Sequence, residues 1–149
     1  MLLLLLGIVQ FALIYNAQVG LTNAIRDAAR VGSTLTTIDN ASAATTASTT
    51  YSKLTTSLST YVNPYQSSNL VTGSRVCVTQ HADGAGSSPA FVKVTVIYDH
   101  PVVVPIVGAI LDSIDGTSNG AYRITVSTEL RIDNPTQTAI SIASPVCNP

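Results

Sequence analysis

The stretch MLLLLLGIVQFALIYNAQVGLTNAIRDAARVGS, residues 1–33, decides the fold of this chain. It contains no proline and no charged side chain before Arg26, and apart from Gln10 its first fifteen residues are apolar. Further along, apolar residues recur every three or four positions, which is the spacing of one face of an α-helix. These positions are Ile14, Ala17, Leu21, Ala24, Ala28, Val31 and Leu35. We therefore predict one helix over residues 1–32, about 48 Å long at ~1.5 Å per residue.

A cleaved signal peptide is the obvious alternative for this segment. Such a peptide needs a basic n-region, a short apolar core and a cleavage site of small residues. No basic residue precedes the leucines, and the helical pattern runs through any plausible cleavage point such as Ala17. We expect the segment to be kept in the mature chain.

The two halves of the predicted helix suggest two uses. The first half is apolar all round, so it can enter a bilayer, which takes about 20 mostly apolar residues, or bury among identical tips at ~25 cal/mol per Å². We predict a polymerisation core made of Leu2, Leu3, Leu4, Leu5, Leu6, Ile8, Val9, Phe11, Leu13 and Ile14. The second half presents one apolar stripe. We predict that it packs on the chain's own head through Ala17, Leu21, Ala24, Ala28 and Val31.

Two motifs in this helix resemble TadE-like proteins, the pilin-like proteins of tight-adherence (Tad) systems in the type IV filament superfamily. The family pattern has a leucine run, then Gly-Ile-Val-Glu-Phe, then an LTNAAREAAR-like stretch. The matching segments here are residues 7–11 and 21–30, with Gln10 where glutamate is common. The family's short basic leader and early glutamate do not occur in this sequence.

The resemblance implies a pilin: a structural subunit that polymerises with copies of itself into a surface filament for adhesion. It implies a subunit that waits in the inner (cytoplasmic) membrane before assembly and ends in an extracellular filament. The implied partners are the pilus assembly machinery and a prepilin peptidase. A low-copy minor or assembly component of the same machinery shares every motif, and a single-pass surface binding domain is the alternative from another class.

Residues 33–149 are predicted to form a globular head. Apolar residues at helical spacing predict a second amphipathic helix over about 40–61, antiparallel to the first, with Thr37 or Asp39 as its N-cap. Alternating segments rich in β-branched residues, at about 74–80, 91–100 and 121–132, predict a three-stranded antiparallel sheet. The apolar stretch before the third strand is expected to form a short helix or tight loop. The predicted fold class is α+β, with a long N-terminal helix and a small sheet.

The two cysteines, Cys77 and Cys147, are too few and too far apart for a CxxC zinc site. In an exported chain they predict one disulfide, worth about 4 kcal/mol in the chain-entropy model; the alternative is two unrelated buried thiols. Charged residues make up 10% of the chain and the formal net charge is −1. A nucleic-acid partner is therefore not expected.

The sequence offers little for catalysis or for binding a cofactor. His81 with Asp83 and His100 with Asp99 lie at predicted strand ends, where polar residues are common, and we expect no metal site. The segment DSIDGTSNG, residues 112–120, lacks the spacing and terminal glutamate of an EF-hand and is expected to be a turn. No hydrolase, P-loop or dinucleotide motif is present, so we expect no enzyme activity and no cofactor. Asn40 lies in the chain's one acceptable N-glycosylation sequon, although such triplets arise by chance in Ser/Thr-rich chains.

Overall fold

The structure is a computed structural model that describes residues 1–37, 39–63, 65–81, 89–116, 120–133, 142 and 145–148, without the side chains of Leu3, Pro105, Ile106, Asp112 and Asp115. It is an α+β fold, as predicted, in which two long helices pack on one face of an antiparallel sheet. The elements in chain order are α1 (Leu2–Ser33), α2 (Asn40–Tyr61), a single 3₁₀ turn (Ser67–Asn69), β1 (Arg75–Gln80), β2 (Ala90–Pro101), α3 (Pro105–Asp115), β3 (Ala121–Arg131) and β4 (Val146–Asn148).

The helix α2 forms although its sequence is rich in serine and threonine, which are only moderate helix formers. Of the two N-cap candidates, Asp39 is the cap. Its carboxylate accepts a hydrogen bond from the Ser42 N–H at 2.8 Å, while the Ser42 hydroxyl accepts one from the Asp39 N–H at 3.0 Å. This capping box satisfies two N–H groups that the first turn leaves without a helical partner. Several exposed hydroxyls donate to the carbonyl one turn earlier, as Thr45 does to Ala41.

The sheet has four strands rather than the predicted three, in the order β3-β2-β1-β4 with every neighbouring pair antiparallel. The fourth strand, β4, is only three residues long and pairs with β1 within the polar tail. Because so short a segment has no measurable alternation, the sequence pattern could not reveal it.

The core lies between the helices and the sheet. Alternate residues of β2 from Val92 to Tyr98 are fully buried and share one cluster with the apolar stripe of α1 and the inner face of α2. The two helices approach closely: a Cβ on Gly20 would collide with the backbone carbonyl of Tyr61, and a Cβ on Gly32 with the side chain of Thr50. The small residues of α1 therefore set the distance between α1 and α2.

The sheet lies along α1 between two fixed points. At the C-terminal end of α1, a Cβ on Gly32 would lie 3.1 Å from the Val92 side chain. Towards the N-terminus, Gln10 bonds to the backbone just after β2, at Val103. The part of α1 from Met1 to Gln10 extends past the head by about 13 Å at ~1.5 Å per residue.

Candidate assembly surface

The free end of α1 is the largest apolar surface in the described part of the chain. Ten of the fifteen exposed large apolar side chains belong to this helix or to its N-cap Met1, so they form a continuous patch and not scattered surface residues. Leu2 is 75% exposed, Leu5 62% and Phe11 59%. We call this surface the apolar tip; its exposed members are Met1, Leu2, Leu4, Leu5, Ile8, Val9, Phe11 and Leu13.

Most of the residues that we assigned to the polymerisation core lie on this tip, and Ile14 does not. Leu6 is half-buried, and the side chain of Leu3 lies outside the described set. Ile14 is only 7% exposed and belongs to the core of the head, so its assignment to the polymerisation core was wrong. The reason is helical spacing: Ile14 precedes Ala17 and Leu21 by three and seven residues and therefore lies on the face that packs on the head.

The other half of α1 holds the head. Ala17, Leu21, Ala24 and Ala28 are at most 1% exposed, as their assignment to head packing requires, while Val31 is half-buried. The prediction missed Ile25 and Ala29, which are also buried. Two elements, α2 and the sheet, pack against α1 from different sides, so the buried face is wider than one stripe. Ile25 and Ala29 are spaced as i and i+4 beside that stripe, so their burial could have been predicted from the sequence.

The border between tip and head is marked by Gln10. Its side chain is 1% exposed, and its Oε1 accepts a hydrogen bond from the Val103 N–H at 2.9 Å. Its Nε2 has no hydrogen-bond partner among the described residues. The sequence identified Gln10 only as a departure from a family motif. The structure shows that this side chain joins α1 to the segment between β2 and α3.

A second polar contact joins the helices within the head. The Asp27 carboxylate on α1 lies 3.0 Å from the Lys53 ammonium on α2 and accepts a hydrogen bond from the Ser57 hydroxyl at 2.7 Å. Salt bridges at such half-exposed positions contribute at most about 1 kcal/mol. Asp27 therefore fixes the rotation of the two helices about each other more than it stabilises them.

The end of the head that contacts Gln10 carries a smaller apolar surface, formed by α3 and the residues before it. Val103 is 73% exposed, Ile110 58% and Ile114 70%, while Leu111 turns inward to the core. The prediction of a short helix or tight loop over the sheet is confirmed as a helix. Its exposed isoleucines were not predicted.

The histidines are held apart from the carboxylates that precede or follow them. Side chains alternate along β2, so Asp99 faces the open side of the sheet, where Arg123 donates to both carboxylate oxygens at 2.8 and 2.9 Å. His100 faces the core, where burial lowers its pKa. His81 contacts Glu129 at 3.1 Å, and Asp83 lies outside the described residues. No group of three or more His, Cys, Asp or Glu side chains converges in the described ranges.

The disulfide predicted between Cys77 and Cys147 is present, with an S–S distance of 2.08 Å. The two cysteines are directly opposite each other in the pairing of β1 with β4, so the bridge holds the short fourth strand on the sheet. The sequon residue Asn40 is exposed at the first turn of α2. Residues 112–115 are the end of α3, Gly116 and Gly120 both have positive φ, and residues 117–119 lie outside the described set.

By length and composition, one helix among the described residues is able to cross a membrane: Leu4–Ser33, which is α1 without its first two residues. Its tip-side half is exposed and its other half is the core helix of the head. Length alone does not distinguish these two uses, but exposure does: most of the exposed apolar side chains of this helix lie on the tip.

Comparison with known proteins bears on this helix alone. No curated protein and no solved structure matches the chain. The family model described as TadE-like protein matches residues 1–30, which cover the apolar tip and most of the head-packing half of α1. The resemblance predicted from the two helix motifs is thereby confirmed: the N-terminal helix of this chain is similar to that of TadE-like proteins.

Proposed function

We propose that this chain is a pilin, a structural subunit that polymerises through the apolar tip of α1 into a Tad-like filament. The observation that carries the proposal is the division of one TadE-like helix into two parts. From Ile14 onward one face is buried in the chain's own head, while the tip before it is exposed almost all round. Soluble monomers rarely expose an apolar patch of this size, so the tip marks a surface that contacts lipid or another protein.

The energy available from covering the tip is large enough to drive association. Fully burying a leucine, isoleucine or phenylalanine side chain is worth about 1.5–3 kcal/mol. Six such side chains and Val9 on the tip are between 40% and 75% exposed, so covering them yields on the order of 10 kcal/mol before the entropic cost of association. Lipid tails and identical tips satisfy these side chains equally well, so one surface serves before and after assembly.

The apolar tip suggests two successive states of the subunit, one in the membrane and one in the filament. The tip waits in the cytoplasmic membrane, then moves into the core of an extracellular filament, where the heads are displayed outwards for adhesion. The proposed partners are other copies of the chain, the pilus assembly machinery and a prepilin peptidase, with no nucleic acid. We propose a structural role and not an enzymatic one, with no cofactor, since the features described above are packing surfaces.

The first experiment is electron microscopy of material sheared from the cell surface, with mass spectrometry of its main band. The variant that tests polymerisation through the tip is Val9→Asp, because Val9 is exposed on the tip and makes no contribution to the core of the head. The matched control is Ala44→Asp, which puts the same charge on an exposed position of α2. We expect normal filaments from the control and none from Val9→Asp, with the disulfide intact in both.

Each alternative has its own outcome in this experiment. Normal filaments from Val9→Asp would refute polymerisation through the tip. Filaments in which this chain is a trace component would favour the low-copy minor or assembly component, which the TadE-like match over α1 fits equally well. Scattered monomers that remain with the membrane fraction would favour a single-pass surface binding domain.

A further inference from the structure

We propose that α3, together with Val103, rests in the interface of the bilayer while the subunit waits in the membrane. The proposed ligand is the surface of a membrane of electrically neutral, zwitterionic lipids. This inference rests on the proposed function only in requiring that the apolar tip of α1 enters lipid. It adds a second membrane contact, which comes from the head.

The connections of α3 place it where α1 leaves the head. It joins the ends of β2 and β3 at the paired residues Pro101 and Ala121. The Val102 N–H donates to the Gly120 carbonyl at 3.2 Å, which closes this end of the sheet. The next residue, Val103, is bonded to Gln10 of α1. A surface on α3 therefore lies beside the base of the apolar tip.

The exposed side of α3 is apolar or neutral where it is described. Ile110 and Ile114 are one helical turn apart and more than half exposed. Ala109 and Ser113, each the residue before one of these isoleucines, are also exposed, whereas Leu111 is buried in the head. Isoleucines exposed to water on a short amphipathic helix are unfavourable. The lipid that we propose to surround the apolar tip lies next to them and can bury them.

A charged pair on the sheet limits the depth to which the head can enter lipid. Asp99 and Arg123 form a bidentate ion pair two residues from the end of β2, about 7 Å along a strand. Charged groups are expensive in hydrocarbon, so this pair stays on the aqueous side. The tip up to Gln10 lies on the lipid side. The boundary between lipid and water thus falls at the level of α3.

The composition of α3 indicates the kind of lipid. The segment Pro105–Asp115 has no lysine or arginine, and its two carboxylates are Asp112 and Asp115. Basic residues attract interfacial helices to anionic lipids, and α3 has none. Eleven residues give weak affinity alone, but a helix tethered to an inserted α1 is held at a high effective concentration at the surface. A zwitterionic surface is therefore the matching partner.

The chain contains no tryptophan, so a single introduced tryptophan reports its own surroundings. The test uses the full chain in phosphatidylcholine vesicles, some with brominated acyl chains, at a high lipid-to-protein ratio that keeps copies apart. The reporter is Ile110→Trp, with Ile114→Trp as a second reporter at the next turn. Leu5→Trp reports insertion of the tip, and Ala44→Trp, at the opposite end of the head, is the aqueous control.

We expect brominated lipid to quench most of the emission at positions 5 and 110 or 114, with a blue shift, and to leave position 44 unquenched. Quenching at position 5 without quenching at either α3 position would overturn this inference and leave the proposed function standing. A blue shift at α3 without quenching would also overturn it, because protein and not lipid would then cover the helix. No quenching at position 5 would refute the membrane state itself, and this inference with it.

Discussion

Replacing Gly20 by alanine tests whether the close contact of α1 with α2 holds the head on the TadE-like helix. A Cβ at this position collides with the backbone carbonyl of Tyr61, and the carbonyl carbon and the Val62 Cα lie at 3.0 and 3.4 Å. These are backbone atoms, which cannot rotate away as the end of a side chain can. The two helices must therefore move apart where α2 ends.

The magnitude is a difference of two terms. Alanine favours the helix over glycine by about 0.8–1 kcal/mol. Overpacking a closely packed site costs about 1–3 kcal/mol, and the upper end applies because the obstacle is backbone. We expect Gly20→Ala to lower the free energy of unfolding by about 2 kcal/mol, the larger cost less the helix gain.

Gly7→Ala is the matched control, since a Cβ on Gly7 meets nothing within 4 Å. It carries the same helix gain without the collision, so the free energy of unfolding should stay the same or rise by up to about 1 kcal/mol. Both full-length variants are unfolded with urea in a mild non-ionic detergent and followed by circular dichroism. Equal stability of the two variants would refute the close approach at Gly20.

Three further predictions concern single contacts. Replacing Cys77 and Cys147 together by serine should lower the free energy of unfolding by about 4 kcal/mol, measured by urea titration against the oxidised wild type; an unchanged midpoint would contradict the bridge. Because burial lowers the pKa of His100, the unfolded state binds its proton first, so stability should fall as pH drops through about 6.5. His100→Gln should remove this slope and His81→Gln should not; a slope that survives His100→Gln would assign it to another group. Gln10→Met keeps the volume but removes the acceptor of the Val103 N–H, so hydrogen exchange at that amide should rise about tenfold, for a bond worth roughly 1.4 kcal/mol. The neighbouring Val102 amide, which is bonded to Gly120, is the internal control, and equal acceleration of both amides would indicate general unfolding instead.

Local pattern was sufficient for the long elements of this fold. The helices predicted over 1–32 and 40–61 are Leu2–Ser33 and Asn40–Tyr61 in the structure, and the three predicted strands agree with β1, β2 and β3 to within one residue at each end. Helical and strand periods are properties of neighbouring residues, so a sequence displays them directly. The capping box at Asp39 and Ser42 is equally local, and the two motifs of α1 were enough to identify the TadE-like helix.

Contacts between distant residues were decided only in three dimensions. The pattern of α1 shows where the helix is apolar, but not how far the head reaches along it, so Ile14 was assigned to the wrong surface and Gln10 to none. The strand β4 pairs with β1 and is bridged to it by the disulfide between Cys147 and Cys77, 70 residues apart in sequence. The exposed isoleucines of α3 suggest a membrane contact only because the fold places them beside the base of the tip. The sequence by itself determined which residues are helical and which side of each element is apolar. Tertiary structure determined which apolar side is covered by the head and which is left for lipid or another subunit, because burial depends on residues that are far apart along the chain.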